Sequence, residues 1–362
     1  MNKNRVAVAM SGGIDSSITA LLLKEAGYDL VGVTLRIWDY LSEGCEEKET
    51  GCCSMEAIFE AKEFAEKLGI PHYIIDIRSE FKATVVQNFM DEYMSARTPN
   101  PCVMCNPLIK WGAILDFADK HDCYYMATGH YSQLAHNEDR HYITKAADAS
   151  KDQSYVLWKL TQEQIQRTLL PLGEYTKATI KKLAEERGFV KLAKKKESQE
   201  VCFIPDNNYR GFLNKKVEDI ASIVSKGKFV DSQGTVLGEH NGYPFYTIGQ
   251  RKGLNIALGY PAYVLRIDKE ANKIVLGKQE DLLTSEMIVT GYNGIKHEDI
   301  PQDIDVQVKI RYNSKPVPCE VISSDGNTYT IRFKQNVSAV TPGQSAVFYE
   351  GNDLIGGAII VQ

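Results

Sequence analysis

The chain has 362 residues, a formal net charge of −5 and 43% hydrophobic residues. That length suits two or three domains, the balance excludes a disordered or generally polybasic chain, and no apolar run is long enough to span a bilayer. The first strand starts within a few residues of Met1, which leaves no room for a signal peptide, so a cytoplasmic protein without membrane attachment is expected.

Val6 to Met10 reads as a short buried strand, broken by Gly12-Gly13, and Ser16 to Ala26 as a helix stopped by Gly27. A strand that ends at glycines and opens a helix is an anion site. Backbone N–H groups point outward, the helix dipole favours negative charge, and the missing Cβ atoms let a phosphate approach. Ser11, Ser16 and Ser17 add hydroxyls, and Asp15 is placed to hold a divalent cation. Neither G-x-x-x-x-G-K-[ST] nor G-x-G-x-x-G occurs, so the two commonest nucleotide loops are excluded.

Leu30 to Leu35 is the second strand, and an acidic loop from Asp39 follows it. Glu56 to Leu68 reads as an amphipathic helix, His72 to Ile77 as a strand and Phe81 to Tyr93 as another helix. A proline-rich loop then leads to Asn106, a plausible N-cap with Pro107 in the first turn, for a helix to about Lys120. Tyr124 to Thr128 is a further strand, ending in Gly129-His130. Strands alternating with helices give an open parallel sheet with ligands beyond the strand carboxyl ends. Thr161 to Gln164 is a capping-box pattern, and Ala178 to Gly188 reads as a helix. Lys177 to Lys196 carries eight basic residues against Glu185 and Glu186, which points to a polyanion partner. From about residue 226 short alternating segments with turn dipeptides predict mostly β structure, with a boundary near 278–285.

The cysteines stand at 45, 52, 53, 102, 105, 123, 202 and 319. In such a chain they are not a disulfide framework, and clustered ones point to catalysis or metal binding. Cys102 and Cys105 form a C-x-x-C just before the helix expected at Asn106, where a helix N-terminus stabilises thiolate. Cys202 is a third thiol among polar neighbours. A closed zinc site lacks its fourth ligand. A redox dithiol and a sulfur-carrying pair, one nucleophile and one persulfide, remain. Cys123 and Cys319 read as small core residues, and Cys45, Cys52 and Cys53 as loop thiols.

SGGIDS resembles the PP-loop of the ATP pyrophosphatases. Together with TPNPCVMCN, ATGHY (127–131), KDQSY (151–155), CFIP, TIGQRKGL (247–254), VKIRY and TPGQSAVFY (341–349), it resembles the tRNA-specific 2-thiouridylases nearly end to end. The resemblance implies a PP-loop catalytic α/β domain (1–206), a small mostly-β central domain (207–280) and a C-terminal β-barrel that binds tRNA (281–362). It also implies ATP-dependent conversion of a tRNA wobble uridine to 2-thiouridine, with ATP and Mg2+ required and a sulfur-donor protein as partner. By position, the nucleophile falls on Cys105 and the persulfide on Cys202. Nucleotide contacts fall on Ala9, Met10, Ser11, Gly12, Gly13, Ile14, Asp15 and Ser16, with Leu35 and Gly129. Contacts to tRNA fall on His130, Lys151, Asp152, Gln153, Arg311, Tyr312 and Gln344, and the target-base loop on Asn100, Pro101 and Cys102.

Many members of that family have Asp where this chain has Cys102. Three thiols, Cys102, Cys105 and Cys202, would suit a [4Fe–4S] cluster with one open iron corner, so cluster-bound sulfide stands beside the persulfide as sulfur source. In either case adenylation makes the uracil C2 oxygen a leaving group and sulfur attacks C2. A persulfide route ends in a Cys105–Cys202 disulfide if Cys105 releases the sulfur. Two other readings stay open: a PP-loop amide-forming ligase, and a non-catalytic ATP- and RNA-binding iron–sulfur module.

Overall fold

The computed structural model describes residues 1–38, 55–195, 201–204 and 206–362. The acidic loop with Cys45, Cys52 and Cys53, and Lys196 at the end of the basic stretch, lie outside the described residues. The chain forms two compact units. One comprises Met1–Val85, Pro101–Asn207 and Asn352–Leu354; the other comprises Val86–Asn100, Asn208–Gly351 and Ile355–Gln362.

In the first unit β1 (Asn2–Ala9), β2 (Asp29–Arg36), β3 (His72–Asp76), β4 (Cys123–Ala127) and β7 (Thr168–Leu169) form one sheet in the order β3-β2-β1-β4-β7, with every pairing parallel. Val6 lies opposite Leu30 on one side and Tyr125 on the other, which makes β1 the central strand. Its Val6, Ala7 and Val8 have no exposed surface, as expected of a strand covered on both faces. Helix α1 (Ile14–Glu25) and helix α2 (Met55–Leu68) bring Leu23, Ala61, Phe64 and Ala65 onto Val6, Val8 and Leu30. Full burial of the valine, leucine and phenylalanine side chains among these contributes about 1.5–3 kcal/mol each before the entropy of ordering is counted. The carboxyl ends of β1, β2 and β4 deliver the PP-loop, Leu35 and Gly129-His130. A hairpin, β5 (Gln133–His136) with β6 (His141–Thr144), is an addition that the sequence pattern did not signal.

Two helices depart from expectation. The helix expected at Asn106 begins at Pro101 and runs to Lys120, with a π-helical stretch over Asn106–Trp111. Pro101 takes the opening position, Asn106 is an interior residue, and Pro107, which has no N–H to donate, sits where the helix widens. The helix expected over Phe81 to Tyr93 begins earlier, at Arg78, and is π-helical over Lys82–Val86 before Gln87–Met94.

The second unit holds two β systems. Strands β8 (Gly227–Val230), β9 (Val236–His240), β10 (Tyr263–Asp268) and β11 (Lys273–Gly277) form a sheet in the order β10-β11-β8-β9 over Phe229, Val264, Ile274 and Leu276. Then β12 (Leu283–Gly294), β13 (Val306–Lys309), β14 (Val317–Asp325), β15 (Thr328–Ser338), β16 (Ser345–Glu350) and β17 (Asp353–Ile360) follow the order β12-β15-β14-β13-β16-β17. Pairing of β12 with β17 closes this into a six-stranded barrel around Met287, Val289, Ile331, Phe333 and Phe348. The expected class is therefore observed: parallel-sheet domain, mostly-β middle, terminal barrel.

Residues 86–100 pack with this second unit, although they precede the thiol pair in the chain. Tyr93 stacks on Tyr209 at 4.6 Å, Phe89 meets Phe212 edge-on at 6.0 Å, and Tyr243 Oη donates to the Met94 carbonyl at 2.9 Å. Tyr209 and Phe212 are thus engaged in packing.

Candidate active site

After β1 the chain turns through Ser11-Gly12-Gly13. Gly12 has φ +67, and a Cβ there would strike the Ala57 carbonyl at the start of α2. Only glycine fits this position. Gly13 is the N-cap of α1, extended and without a side-chain capping bond, so the first-turn amides are left for an anion. Ser16 Oγ donates to Gly13 O at 3.1 Å and accepts from Ser11 N at 3.1 Å, which draws the loop closed. At Gly129 an added Cβ would lie 2.8 Å from Asp15 C and 2.9 Å from Ser16 N, so the end of β4 rests directly on the loop.

Asp15 is charge-paired within the chain. Lys177 Nζ reaches its two carboxylate oxygens at 2.7 and 2.8 Å, and Tyr131 Oη donates to Oδ1 at 2.8 Å. Lys177 is buried. The expectation that Asp15 holds a divalent cation does not fit this geometry, because a lysine ammonium already neutralises both oxygens. Tyr131 is clasped in turn: its N–H donates to Gln153 Oε1 at 2.9 Å, and Gln153 N donates to Tyr131 O at 2.8 Å. Asp152 accepts from Ala146 N and from both N and Oγ of Ser154. Of the three residues Lys151 to Gln153, two are thereby struts that fix the loop beside the PP-loop.

Cys102 lies exposed in the first turn of the Pro101 helix, and Cys105 is buried one turn on. With the helix starting five residues early, Cys102 takes the place where the dipole acts most strongly. Lys159 Nζ lies 3.1 Å from Met104 Sδ, bringing positive charge to the turn that carries both thiols. Asn106 is fully buried and donates from Nδ2 to Val156 O at 2.8 Å, anchoring the following turn. Cys202 is half-buried, and its neighbour Phe203 is held in an aromatic cluster, 5.8 Å from Trp38 and 5.7 Å from Phe81. The sequence reading missed Lys159, Trp38 and Phe81; no local pattern marks them. Among the described residues no three His, Cys, Asp or Glu side chains are gathered as a metal ion requires. Cys102, Cys105 and Cys202, on which a cluster is expected, do not form such a set. Cys123 and Cys319 are core residues as expected, and burial pushes their thiols up to about 11 and about 12.

The positions expected to touch RNA divide. His130 is buried, its Nδ1 pairs with Thr128 Oγ1 at 2.7 Å, and desolvation, helped by the nearby Lys110 charge, holds the imidazole well below its ordinary value. In the second unit Arg311 Nη2 donates to Ile248 O, Ala339 O and Thr341 Oγ1. Gln344 Nε2 donates to Thr98 O at 2.9 Å and Pro99 O at 3.1 Å, holding the segment that enters Asn100. Tyr312 is exposed, with Lys309 Nζ 5.8 Å from its ring centre. The basic stretch is paired in part: Lys177 with Asp15, Arg187 with Glu25, and Lys195 with Glu60.

Three domain families match in order: the tRNA methyl transferase HUP domain over residues 4–206, the tRNA methyl transferase PRC-barrel domain over 211–278, and the aminomethyltransferase β-barrel domain over 284–360. The tRNA-specific 2-thiouridylase MnmA of Amoebophilus asiaticus is 52% identical over 99% of this chain and 96% of its own length. The chain belongs to the tRNA-specific 2-thiouridylase family. The thiouridylases of Cytophaga hutchinsonii and Carboxydothermus hydrogenoformans are 50% and 45% identical, each over 99% of this chain and 97% and 98% of theirs. Among solved structures, the U34-tRNA thiolase NcsA from Methanococcus maripaludis with its [4Fe-4S] cluster matches at TM-score 0.33 and 19% identity, over 61% of this chain and 68% of that one. That likeness is too low to transfer a cofactor to this thiouridylase-family chain. No helix among the described residues is long and apolar enough to cross a membrane.

Proposed function

We propose that this chain thiolates C2 of the wobble uridine of tRNA, using ATP. The observation that carries the reading is the end-to-end likeness to thiouridylases, joined to a glycine cradle whose first-turn amides have no side-chain cap. Nucleotide contacts are assigned to 9–16, Leu35 and Gly129, and the domains to 1–206, 207–280 and 281–362.

The uracil C2 oxygen attacks the α-phosphorus of ATP, pyrophosphate leaves, and an O-adenylated base results. The uncapped amides of α1 stabilise charge on the phosphates. Sulfur comes from a persulfide on Cys202. Cys105 thiolate attacks the Cys202 sulfur, the S–S bond breaks, and the released hydrosulfide attacks C2 while the C2–O bond breaks and AMP departs. A Cys105–Cys202 disulfide remains, to be reduced by a thiol and reloaded by a sulfur-donor protein. Transfer of the persulfide sulfur directly to C2 before Cys105 attacks gives the same products. No step is drawn through magnesium or an iron–sulfur cluster, because Lys177 occupies Asp15 and no group of three metal-ligating side chains is gathered among the described residues. The setting is cytoplasmic, with tRNA and the donor protein as partners.

Pyrophosphate release measured with and without unmodified tRNA, with nucleoside mass spectrometry of the product, tests the reading. Release that requires tRNA, with 2-thiouridine formed and lost in Cys105→Ala, supports it. Release coupled instead to ammonia and an amide product, or no turnover with any tRNA, sinks it.

A further inference from the structure

Lys195 belongs to the basic stretch that the sequence assigns to a polyanion, yet its Nζ lies 3.1 Å from the carbonyl oxygen of Gly12 in the PP-loop and is ion-paired with Glu60 of α2. The Gly12–Gly13 peptide has glycine on both sides, so its plane has little steric resistance to turning over. A trans peptide is rigid, and its C=O and N–H point in opposite directions. Holding Gly12 O therefore fixes where Gly13 N–H points. A carbonyl turned into the cradle would repel the anion that the amide should bind.

We infer that Lys195 is a positioning residue for the pyrophosphate end of a nucleoside triphosphate: it clamps the Gly12 carbonyl and thereby aims the Gly13 amide at the phosphates. Glu60 orients the lysine. The pair is not there for stability, since the lysine is 36% and the glutamate 40% exposed, and such pairs contribute about 0–1 kcal/mol. The inference rests on the ATP-using reading above and adds that this lysine serves the nucleotide and not the tRNA.

The test is calorimetric binding of ATP, inorganic pyrophosphate and adenosine to the full chain and to Lys195→Met, Lys195→Arg and Glu60→Gln. Lys195→Met is expected to bind ATP and pyrophosphate about tenfold more weakly, the loss of one charge-assisted hydrogen bond, with adenosine unchanged. Lys195→Arg should recover most of the loss, and Glu60→Gln should show a smaller one. A merely structural lysine would move adenosine along with ATP, and that result overturns the inference. So does wild-type ATP affinity in Lys195→Met. A fall of about 0.9 in the salt slope of tRNA binding for the same variant would return Lys195 to the RNA. If Lys195→Met fails to fold, the Arg and Gln variants decide by the same ATP-against-adenosine comparison. Failure of the wild-type chain to bind ATP would sink the proposed function itself.

Discussion

Tyr131 Oη donates to Asp15 Oδ1 at 2.8 Å, the same oxygen that Lys177 Nζ reaches at 2.7 Å. One carboxylate in the nucleotide loop is thus held by two side chains from elsewhere in the unit, and loosening either should loosen the loop. Tyr131→Phe should cost about 1 kcal/mol, and Lys177→Met about 2 kcal/mol because it strands a carboxylate that remains a third exposed. Asp15→Asn in the Lys177→Met background should recover part of that loss. Urea unfolding of these proteins and of Asp15→Asn alone checks it; strictly additive costs of Asp15→Asn and Lys177→Met would show that the two groups do not share one network.

The buried His130 makes stability depend on acid. Its imidazole titrates below its ordinary value in the folded chain, so the unfolded chain binds the extra proton first as pH falls. Stability is complete above about 6.5 and declines below it, by up to about 1.4 kcal/mol per pH unit for this group. His72 shifts in the same direction through burial and adds to the slope. In His130→Asn the fall in unfolding midpoint between pH 7 and pH 5.5 should be shallower than in the parent, with a remainder left by His72 and His240, both lowered by burial. An equal fall would remove His130 from the account.

Phe203 separates placing Cys202 from using it. Phe203→Ala empties a buried aromatic site against Trp38 and Phe81, at an expected cost of about 3–5 kcal/mol, and should reduce thiolation by freeing the adjacent thiol. Cys202→Ser should leave the thermal midpoint within a degree or two and abolish thiolation. Thermal scans beside nucleoside analysis distinguish them; thiolation surviving in Cys202→Ser would contradict the persulfide assignment.

Arg311 and Tyr312 are adjacent but should respond differently. Arg311→Lys loses the planar guanidinium whose Nη2 reaches three acceptors and should lower stability by about 1–3 kcal/mol. Tyr312→Ala removes an exposed ring and should leave stability unchanged while weakening tRNA binding severalfold. Filter binding and denaturant unfolding of both variants check the division.

The glycine pair at the end of β1 was legible because strand, turn and helix adjoin in sequence, and the same locality made the capping box at Thr161 readable, where both reciprocal bonds form. The start of the thiol helix was not. Pro101 and Pro107 both suit a first turn, and Asn106 suits a cap, so local pattern could not choose; the decision lies with Val156, fifty residues on, whose carbonyl takes the Asn106 amide inside the core. The basic stretch misled for the same reason. Its lysines look like one solvated charge run until Lys177 is seen to meet Asp15, 162 positions earlier, and Lys195 to meet Glu60, 135 positions earlier. Charge is visible in a sequence, but its partner is not.

The widened turn over Asn106–Trp111 works as a phase setting for the thiols. A helix is a screw, and taking one residue out of register turns everything upstream by about 100° relative to everything downstream. Replacing Pro107 with alanine restores an amide that can close the ordinary four-residue ring. The turn bearing Cys102 and Cys105 would then rotate away from its present bearing with every side chain intact. Such a variant should fold and should lose thiolation more than ATP binding, as a key cut correctly but mounted at the wrong angle on its shaft.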